Sequence, residues 1–327
     1  MKFWFADQKL NTVWLDVSCL TKLIVFGFIL FMLMPVTIGY SAANPYQLAV
    51  FYPEVQGRYG EVYRAILQGV QNRPDTTIHT RQLTKNETPE ALRNWLEQTG
   101  SHAVVALGLR SYMATKDLGL KLPVVIGALV LSPNGISGIS LSGAPEEFLQ
   151  QLNHLTPKVK RVFVVYSKIN SGWLVESARQ TAKKYDMEIH GLEAKDSRHA
   201  LTQYKSVLQQ VSGETDAVWI PLDSMIPDKT VLPLLLESAW SKRFVIFSNN
   251  PSHVRKGALF SLYPDHKAMG RQLADMTISK IVNDDGPLVV PSEHGKVALN
   301  QRTAHHLGLN YSSNAMRQFD LVYPVQR

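Results

Sequence analysis

Polar residues follow short apolar runs at several points in the chain, where a strand is expected to give way to a helix. In the first half these residues are Tyr52, Gly108, Arg110 and Ser111, and in the second half they are Ser167, Asn170, Ser171, Asp223, Ser224 and Asn249. The backbone N–H groups of a helix N-terminus can hold a carboxylate at such a place. Arg110 could bind a carboxylate or phosphate through two parallel hydrogen bonds. Alternatively, its side chain could lie on the surface without a ligand. The chemistry indicated is the binding of a small polar ligand.

Catalytic arrangements do not emerge from the sequence. The stretch GISLSG at residues 138–143 is one residue too long for a nucleophile elbow. No Walker loop occurs. His305 and His306 are adjacent, so they lack the i, i+4 spacing that places two imidazoles on one helix face. We therefore expect no catalytic residues, no metal and no cofactor, and a protein that is not an enzyme.

The N-terminal region has the pattern of an export signal. Residues 23–40 form an uncharged apolar run that precedes small residues at positions 41–43. We predict a signal peptide over residues 1–43, cleaved after Ala43, and a periplasmic location for the remainder. The alternative is an uncleaved anchor in the inner membrane, because about 18 apolar residues just span a bilayer. Cys19, the only cysteine, precedes this run, so neither disulfides nor thiol chemistry is expected in the remainder.

Composition excludes a further class of protein. The chain has 327 residues, which suits two lobes of ordinary size, and 45% of them are hydrophobic. The formal net charge is +7, yet the Lys and Arg residues are scattered and form no basic stripe with interleaved aromatics. Nucleic acid is therefore not an expected partner.

From residue 47 onward, short apolar runs alternate with helical patterns. The expected strands are 48–52, 76–83, 102–108 and 123–128, followed by 161–166, 187–194, 216–223 and 244–250; the expected helices include 89–98, 145–155, 173–185, 197–211, 229–240 and 265–282. Strands separated by helices are parallel, and helices cover both faces of their sheet. The fold class is therefore α/β, with two doubly wound parallel-sheet lobes. Ligands of such sheets bind beyond the carboxyl ends of the strands, which places the site between the lobes.

The end of the chain resembles a known family. In residues 257–310, the features that carry the resemblance are Gly270-Arg271-Gln272, Asn300, Thr303-Ala304 and Leu307-Gly308-Leu309. Residues 158–161 (KVKR) and 219–224 (WIPLDS) are similar to two further motifs of that family, in the same order. The chain is thus similar to ABC-transporter substrate-binding proteins, a family that includes tryptophan- and tyrosine-uptake proteins.

The resemblance implies the type I periplasmic binding-protein fold, in which the chain crosses between the lobes three times and the crossover strands form a hinge. On this basis the first lobe contains residues 44–142 and 258–285. The second lobe contains residues 143–257 and 286–310, and residues 311–327 form a C-terminal tail.

The resemblance also implies roles for individual residues. The family places an acid at Asp223 that can meet a ligand's ammonium group, although Asp223 could simply cap the following helix. Residues 167–171 match a polar loop that could bind a ligand carboxylate, or they form a turn rich in Asn and Ser. Arg110 and Leu222 depart from the family pattern, which has a small residue and a threonine there. Tyr52 and Trp173 could stack on a ligand ring or belong to the lobe cores.

The function implied is that of the periplasmic solute-binding component of an ABC-type uptake system, with a membrane permease as its partner. The expected ligand is small and amino-acid-like or carboxylated, and it binds between the lobes. One alternative is an orphan binding protein that signals to a membrane sensor. Another is a hydrolase on the same scaffold, since fold alone does not determine function.

Overall fold

A computed structural model describes residues 45–55, 57–283 and 285–325. The predicted signal peptide or anchor at residues 1–43 lies outside the described residues. Among the described residues, none of the helices has both the length and the apolar character needed to cross a membrane.

The first lobe is built on a six-stranded sheet with the order β11-β5-β4-β3-β1-β2. Its strands are β1 (Tyr46–Pro53), β2 (Thr76–Leu83), β3 (Ala103–Leu107), β4 (Val124–Leu129), β5 (Ser137–Gly143) and β11 (Val289–Ser292). All neighbouring strands pair in parallel, as the alternation of strands and helices predicts.

The second lobe is built on a seven-stranded sheet with the order β13-β12-β10-β9-β8-β6-β7. Its strands are β6 (Arg161–Tyr166), β7 (Glu188–Glu193), β8 (Asp216–Ile220), β9 (Val245–Ser248), β10 (Phe260–Pro264), β12 (Gly295–Asn300) and β13 (Leu321–Tyr323). Strands β6 to β10 pair in parallel, whereas β12 runs antiparallel to β10. The sheet is therefore dominated by parallel strands but not wholly parallel.

Helices cover both faces of each sheet. They are α1 (Gly57–Gln71), α2 (Pro89–Gln98), α3 (Gly108–Leu118), α4 (Pro145–Leu155), α5 (Lys168–Ala182), α6 (Ser197–Gln210), α7 (Asp228–Lys242), α8 (Pro251–Lys256), α9 (His266–Val282), α10 (Gln301–His306) and α11 (Ser313–Met316). In β1, Val50 packs in the core on one face, while Ala49 and Phe51 pack in the core on the other. An unbroken apolar run is therefore what a strand buried on both faces requires.

The long helix α9 packs against α1 in the first lobe through two glycines. A Cβ atom at Gly270 would lie 2.8 Å from the Gly69 Cα and closer still to the Ile66 carbonyl oxygen. A Cβ at Gly69 would meet the Gly270 Cα at the same 2.8 Å. The two backbones therefore approach so closely that neither position has room for a side chain.

The strand pairing departs from the predicted lobe limits at one strand of each lobe. β10 was assigned to the first lobe, but it pairs with β9 and β12 of the second sheet, where Phe260 is fully buried. β11 was assigned to the second lobe, but it pairs with β5 of the first sheet. The predicted tail also contributes a strand, since β13 pairs with β12. β11 and β13 form the edges of their sheets, whereas β10 lies inside the second sheet with a hydrogen-bonded strand on each side.

The chain crosses between the lobes three times, at the β5–α4, β10–α9 and β11–β12 junctions. Hydrogen bonds tie these crossovers together. The Ala144 N–H donates to the Ser292 carbonyl over 3.1 Å. The carboxylate of Glu147, on α4, accepts from the N–H groups of His294 and Gly295 at 2.7 and 2.8 Å. These linked crossovers form the hinge of the two-lobed fold.

Candidate functional site

A cavity of about 550 Å³ lies between the lobes, beyond the carboxyl ends of β4 and β8. Its lining comprises Leu129, Val130, Leu131 and Ser132 from the first lobe and Asn170, Pro221, Leu222, Asp223, Ser224, Ile226 and Asp228 from the second. Parallel sheets offer their ligand sites at this end, so the cavity lies where the fold predicts one.

The first-lobe wall is an irregular end of β4. The register between β4 and β5 shifts between Ile126 and Leu129, and Ala128 adopts a φ of 58°. Beyond the strand, the Leu131 N–H donates to the Ser140 hydroxyl at 3.0 Å, and that hydroxyl donates to the Leu131 carbonyl at 3.2 Å. A serine of β5 thus fixes residues 129–132 beside the cavity.

The second-lobe wall consists of the 221–227 loop and the first turn of α5. The strand β8 ends at Ile220, earlier than predicted, so Asp223 lies in a loop. The helix α5 begins at Lys168 and not at Trp173, so the predicted polar loop is the N-cap and first turn of a helix. Asn170 and Ser171 therefore have fixed directions rather than those of a flexible turn.

Asp223 holds these two segments together. Its Oδ2 accepts hydrogen bonds from the Ser167 N–H at 2.9 Å and the Ser171 hydroxyl at 2.7 Å. Its Oδ1 accepts from the Asn170 amide at 3.0 Å and the Met225 N–H at 3.0 Å. The residue is only 7% exposed. A carboxylate has about four acceptor sites, and all four are occupied by donors of the second lobe.

Of the two alternatives for Asp223, the structure excludes helix capping, whereas ligand binding stays a prediction. Asp223 does not cap the helix that follows it, because α7 begins at Asp228 and has Pro227 as its N-cap residue. Instead Asp223 receives hydrogen bonds from the first turn of α5, which belongs to a different strand–helix unit. Ser224 is exposed beside it and accepts a long 3.4 Å hydrogen bond from the Asn170 amide. Five predicted residues thus form one cluster, namely Asp223, Ser224, Ser167, Asn170 and Ser171.

Three predicted residues of the first lobe lie in the first turn of α3. Gly108 begins the helix with a φ of 79°, and a Cβ there would collide with the hydroxyl of Tyr63. Ser111 is fully buried, and its hydroxyl has no hydrogen-bond partner among the described residues. Arg110 is exposed. None of the three lines the 550 Å³ cavity.

Two further predicted residues belong to the lobe cores. Tyr52 packs in the first-lobe core. Asn249 is 7% exposed, and its side-chain oxygen accepts from the Trp219 indole at 3.3 Å. Trp173 of α5 packs against apolar residues of both lobes, so it is a contact between the lobes.

Sequence reasoning missed residues 129–132 and Asp228. Asp228 is the first residue of α7, and its Oδ2 lies 3.2 Å from the Nε2 of the buried His253. Tyr204 is buried nearby. Its pKa is raised because burial disfavours the phenolate and because Asp228 and Asp223 carry negative charge. Among the described residues of the cavity lining, Asp223 and Asp228 are the only charged ones, so this lining is acidic.

A second cavity, of about 590 Å³, lies elsewhere on the second lobe. It is lined by Trp240, Arg302 and Tyr323 near the end of β12, which runs opposite to the parallel strands. It is therefore distant from the carboxyl ends of those strands. In residues 45–55, 57–283 and 285–325, the structure has no group of three or more His, Cys, Asp or Glu residues arranged to hold a metal ion.

Two α/β lobes, three linked crossovers and a cavity between the strand ends define a binding protein of the type I periplasmic fold. Solved structures have the same fold. One is an ABC domain in complex with L-Trp from Streptococcus pneumoniae, with a TM-score of 0.51 and 18% identity, covering 85% of this chain and 99% of that one. Another is the ligand-free, open structure of a substrate-binding protein with adhesive properties from Clostridium difficile, with a TM-score of 0.56 and 16% identity, covering 86% of this chain and 100% of that one.

The chain belongs to the family of ABC transporter substrate binding proteins, whose profile matches residues 83–320. A curated relative is the tyrosine-binding protein of Clostridioides difficile strain R20291, which is 26% identical over 178 residues. That match covers 51% of this chain and 50% of the relative, so the chain spans half the length of that relative.

Proposed function

We propose that the protein is the solute-binding component of an ABC-type uptake system and that its ligand is small and amino-acid-like, with a carboxylate. The observation that carries the proposal is the acidic cavity between the lobes, whose described lining combines Asp223 and Asp228 with apolar residues and three uncharged polar ones. Acidic groups favour a ligand with an ammonium group. The similar proteins support this class of ligand, since one is a tyrosine-binding protein and another is in complex with L-Trp.

In the proposed mechanism, the lobes close on the ligand by rotation about the linked crossovers. Segments 129–132 and 221–228 then approach from opposite sides and enclose it. Exposed apolar side chains at the cleft edges, Leu109 and Val130 in the first lobe and Ile169 in the second, are expected to lose exposed surface on closure. A ligand that contacts both lobes stabilises the closed state because it binds that state more tightly.

The partner in this proposal is a membrane permease, which recognises the closed form. The location is periplasmic, reached through the predicted N-terminal signal or maintained by residues 23–40 as an anchor. Family membership supports both points. The protein acts by binding alone. The part of the cavity lining that the structure describes contains no histidine or cysteine that could pair with its serines.

A ligand screen on the full-length protein tests the proposal. We expect L-tyrosine, L-tryptophan or another L-amino acid to raise the thermal unfolding midpoint, since a ligand at 100 times its Kd stabilises the native state by about 2.7 kcal/mol. Sugars, nucleosides and non-amino organic anions serve as comparison probes.

A matched pair of variants locates the response. Leu222→Trp should fill the cavity and abolish the shift, because Leu222 lines it. Leu234→Trp, at an exposed position of α7 outside the cavity lining, should leave the shift intact. The proposal fails if no amino acid gives a shift, or if Leu222→Trp responds as the wild type does.

A further inference from the structure

Within the proposed function, we infer that Asp228, and not Asp223, is the carboxylate that receives the positively charged group of the ligand. On this assignment Asp223 is a positioning residue, which holds the first turn of α5 and the 221–227 loop in place. The inference rests on the proposed function, because it identifies which residue of that site recognises an amine.

The first argument is the acceptor capacity of Asp223. Its two oxygens accept four hydrogen bonds of 2.7 to 3.0 Å, two of them from backbone N–H groups. A ligand ammonium would have to displace one of these donors. The displaced donor would then be buried without an acceptor, which is costly.

The second argument is the free capacity of Asp228. Its side chain is 42% exposed and lines the same cavity. The Oδ1 atom is buried without a hydrogen bond among the described residues, which leaves Oδ2 as the oxygen open to a ligand. The contact of Oδ2 with the His253 Nε2, at 3.2 Å, is the only ion-pair contact of Asp228 in the described part of the chain.

The third argument is the surroundings of Oδ1. The hydroxyl of Tyr204 is also buried without a partner, and Asp228 contributes to the raised pKa of Tyr204. Oδ1 is therefore enclosed by the protein and not presented to the ligand. Because the Asp228 side chain is nevertheless 42% exposed, Oδ2 is the oxygen through which it can meet an amine.

The fourth argument is the charge of the opposite wall. The first lobe contributes Leu129, Val130, Leu131 and Ser132 to the cavity, and none of them carries a charge. Among the described residues of the cavity lining, no lysine or arginine neutralises Asp228. Its one potentially cationic contact is the His253 imidazole, which is charged only when protonated, so an amine from the ligand would supply a permanent cation.

The test compares probes with and without an ammonium group on the full-length protein. The probes are L-tyrosine and L-tryptophan, with 3-(4-hydroxyphenyl)propanoate and indole-3-propanoate as their deaminated counterparts. Affinities are measured by calorimetry for the wild type, Asp228→Asn and Asp223→Asn. Asp228→Asn should bind the amino acids about 10- to 100-fold more weakly, the loss expected for a charge-assisted hydrogen bond, and bind the deaminated probes as the wild type does.

Asp223→Asn should change the affinities for both kinds of probe by the same factor, because it disturbs the shape of the site and not one ligand contact. The inference is overturned if Asp223→Asn alone loses the preference for the amine. It is also overturned if Asp228→Asn retains that preference. Unfolding midpoints of the ligand-free variants, together with Asp228→Ser as a second variant, separate a local loss from misfolding. A wild type that binds no L-amino acid contradicts the proposed function itself and removes the basis of the inference.

Discussion

The contact between Gly69 and Gly270 leads to a sharp stability prediction. A Cβ at Gly270 would lie 2.8 Å from the Gly69 Cα. Carbon atoms in contact lie about 3.5 to 4.0 Å apart, so α9 would have to move by about 0.7 Å or more. Overpacking of this kind lowers the free energy of unfolding by up to about 3 kcal/mol, and the higher helix propensity of alanine offsets about 1 kcal/mol of that loss. We therefore expect Gly270→Ala to lower the free energy of unfolding by about 2 kcal/mol.

The helix α5 offers the matched control. Gly172 is also helical, but a Cβ there would lie 3.5 Å from the nearest atom, the Lys168 Cγ, which is ordinary van der Waals contact. Gly172→Ala should therefore raise the free energy of unfolding by up to about 1 kcal/mol. Urea denaturation of the three proteins, followed by circular dichroism, measures both values. If Gly270→Ala is as stable as Gly172→Ala, the close helix contact does not exist in solution.

Two further predictions concern the hinge. Glu147→Gln should lower the free energy of unfolding in urea by about 1.5 to 3 kcal/mol, because it weakens charge-assisted hydrogen bonds from two backbone N–H groups. The control Glu146→Gln removes an exposed ion pair with Lys184 and should lower it by less than about 1 kcal/mol. Equal losses in the two variants would refute the hinge role of Glu147. Burial would raise the pKa of Asp265, but bonds from two backbone N–H groups and nearby positive charges lower it overall. The ionised Asp265 therefore stabilises the fold fully above its ordinary pKa of 3.8, and this stabilisation is lost as pH falls through the lower pKa of the folded state. The difference in unfolding free energy between the wild type and Asp265→Asn should accordingly shrink in acid. A difference that does not change with pH would contradict this.

The strand β5 shows why the sequence left part of the first sheet unpredicted. Its sequence SGISLSG carries serine or glycine at five of seven positions, so it shows no apolar alternation. The strand is nevertheless largely buried, because it lies between β4 and β11 in the first sheet. The Ser140 hydroxyl satisfies the backbone of Leu131, a tertiary role that no local pattern could show.

The start of α5 was predicted five residues too late for a related reason. Asn170, Ser171 and Gly172 are weak helix formers, so local propensity favours a turn there. The structure forms the first helical turn because Asp223, more than 50 residues away in sequence, accepts hydrogen bonds from it. By contrast, the bounds 145–155 of α4 were predicted correctly, because Pro145 at its first turn is a local signal.

The two acids of the cavity differ in what the sequence reveals about them. Asp223 follows an apolar strand, so its position at the strand end could be predicted. Asp228 stands in the first turn of α7, where an acid is ordinarily explained by the helix dipole. Only the fold of the 221–227 loop brings both carboxylates to the same cavity. Only the side-chain contacts show that the Asp223 carboxylate already accepts four hydrogen bonds.

The tail motif of the family resemblance, in residues 257–310, lies apart from the cavity, whereas the 219–224 motif contributes four of the lining residues. Gly270 permits the close contact of α9 with α1, and Gln272 donates to the Pro291 carbonyl and accepts from the Glu293 N–H at the third crossover. Asn300 caps α10 and donates to the Val254 carbonyl, and Thr303 donates to the Gly257 carbonyl. None of these motif residues lines the 550 Å³ cavity. The tail motif therefore supports the scaffold and its hinge, whereas residues 129–132 and 221–228 line the proposed ligand site.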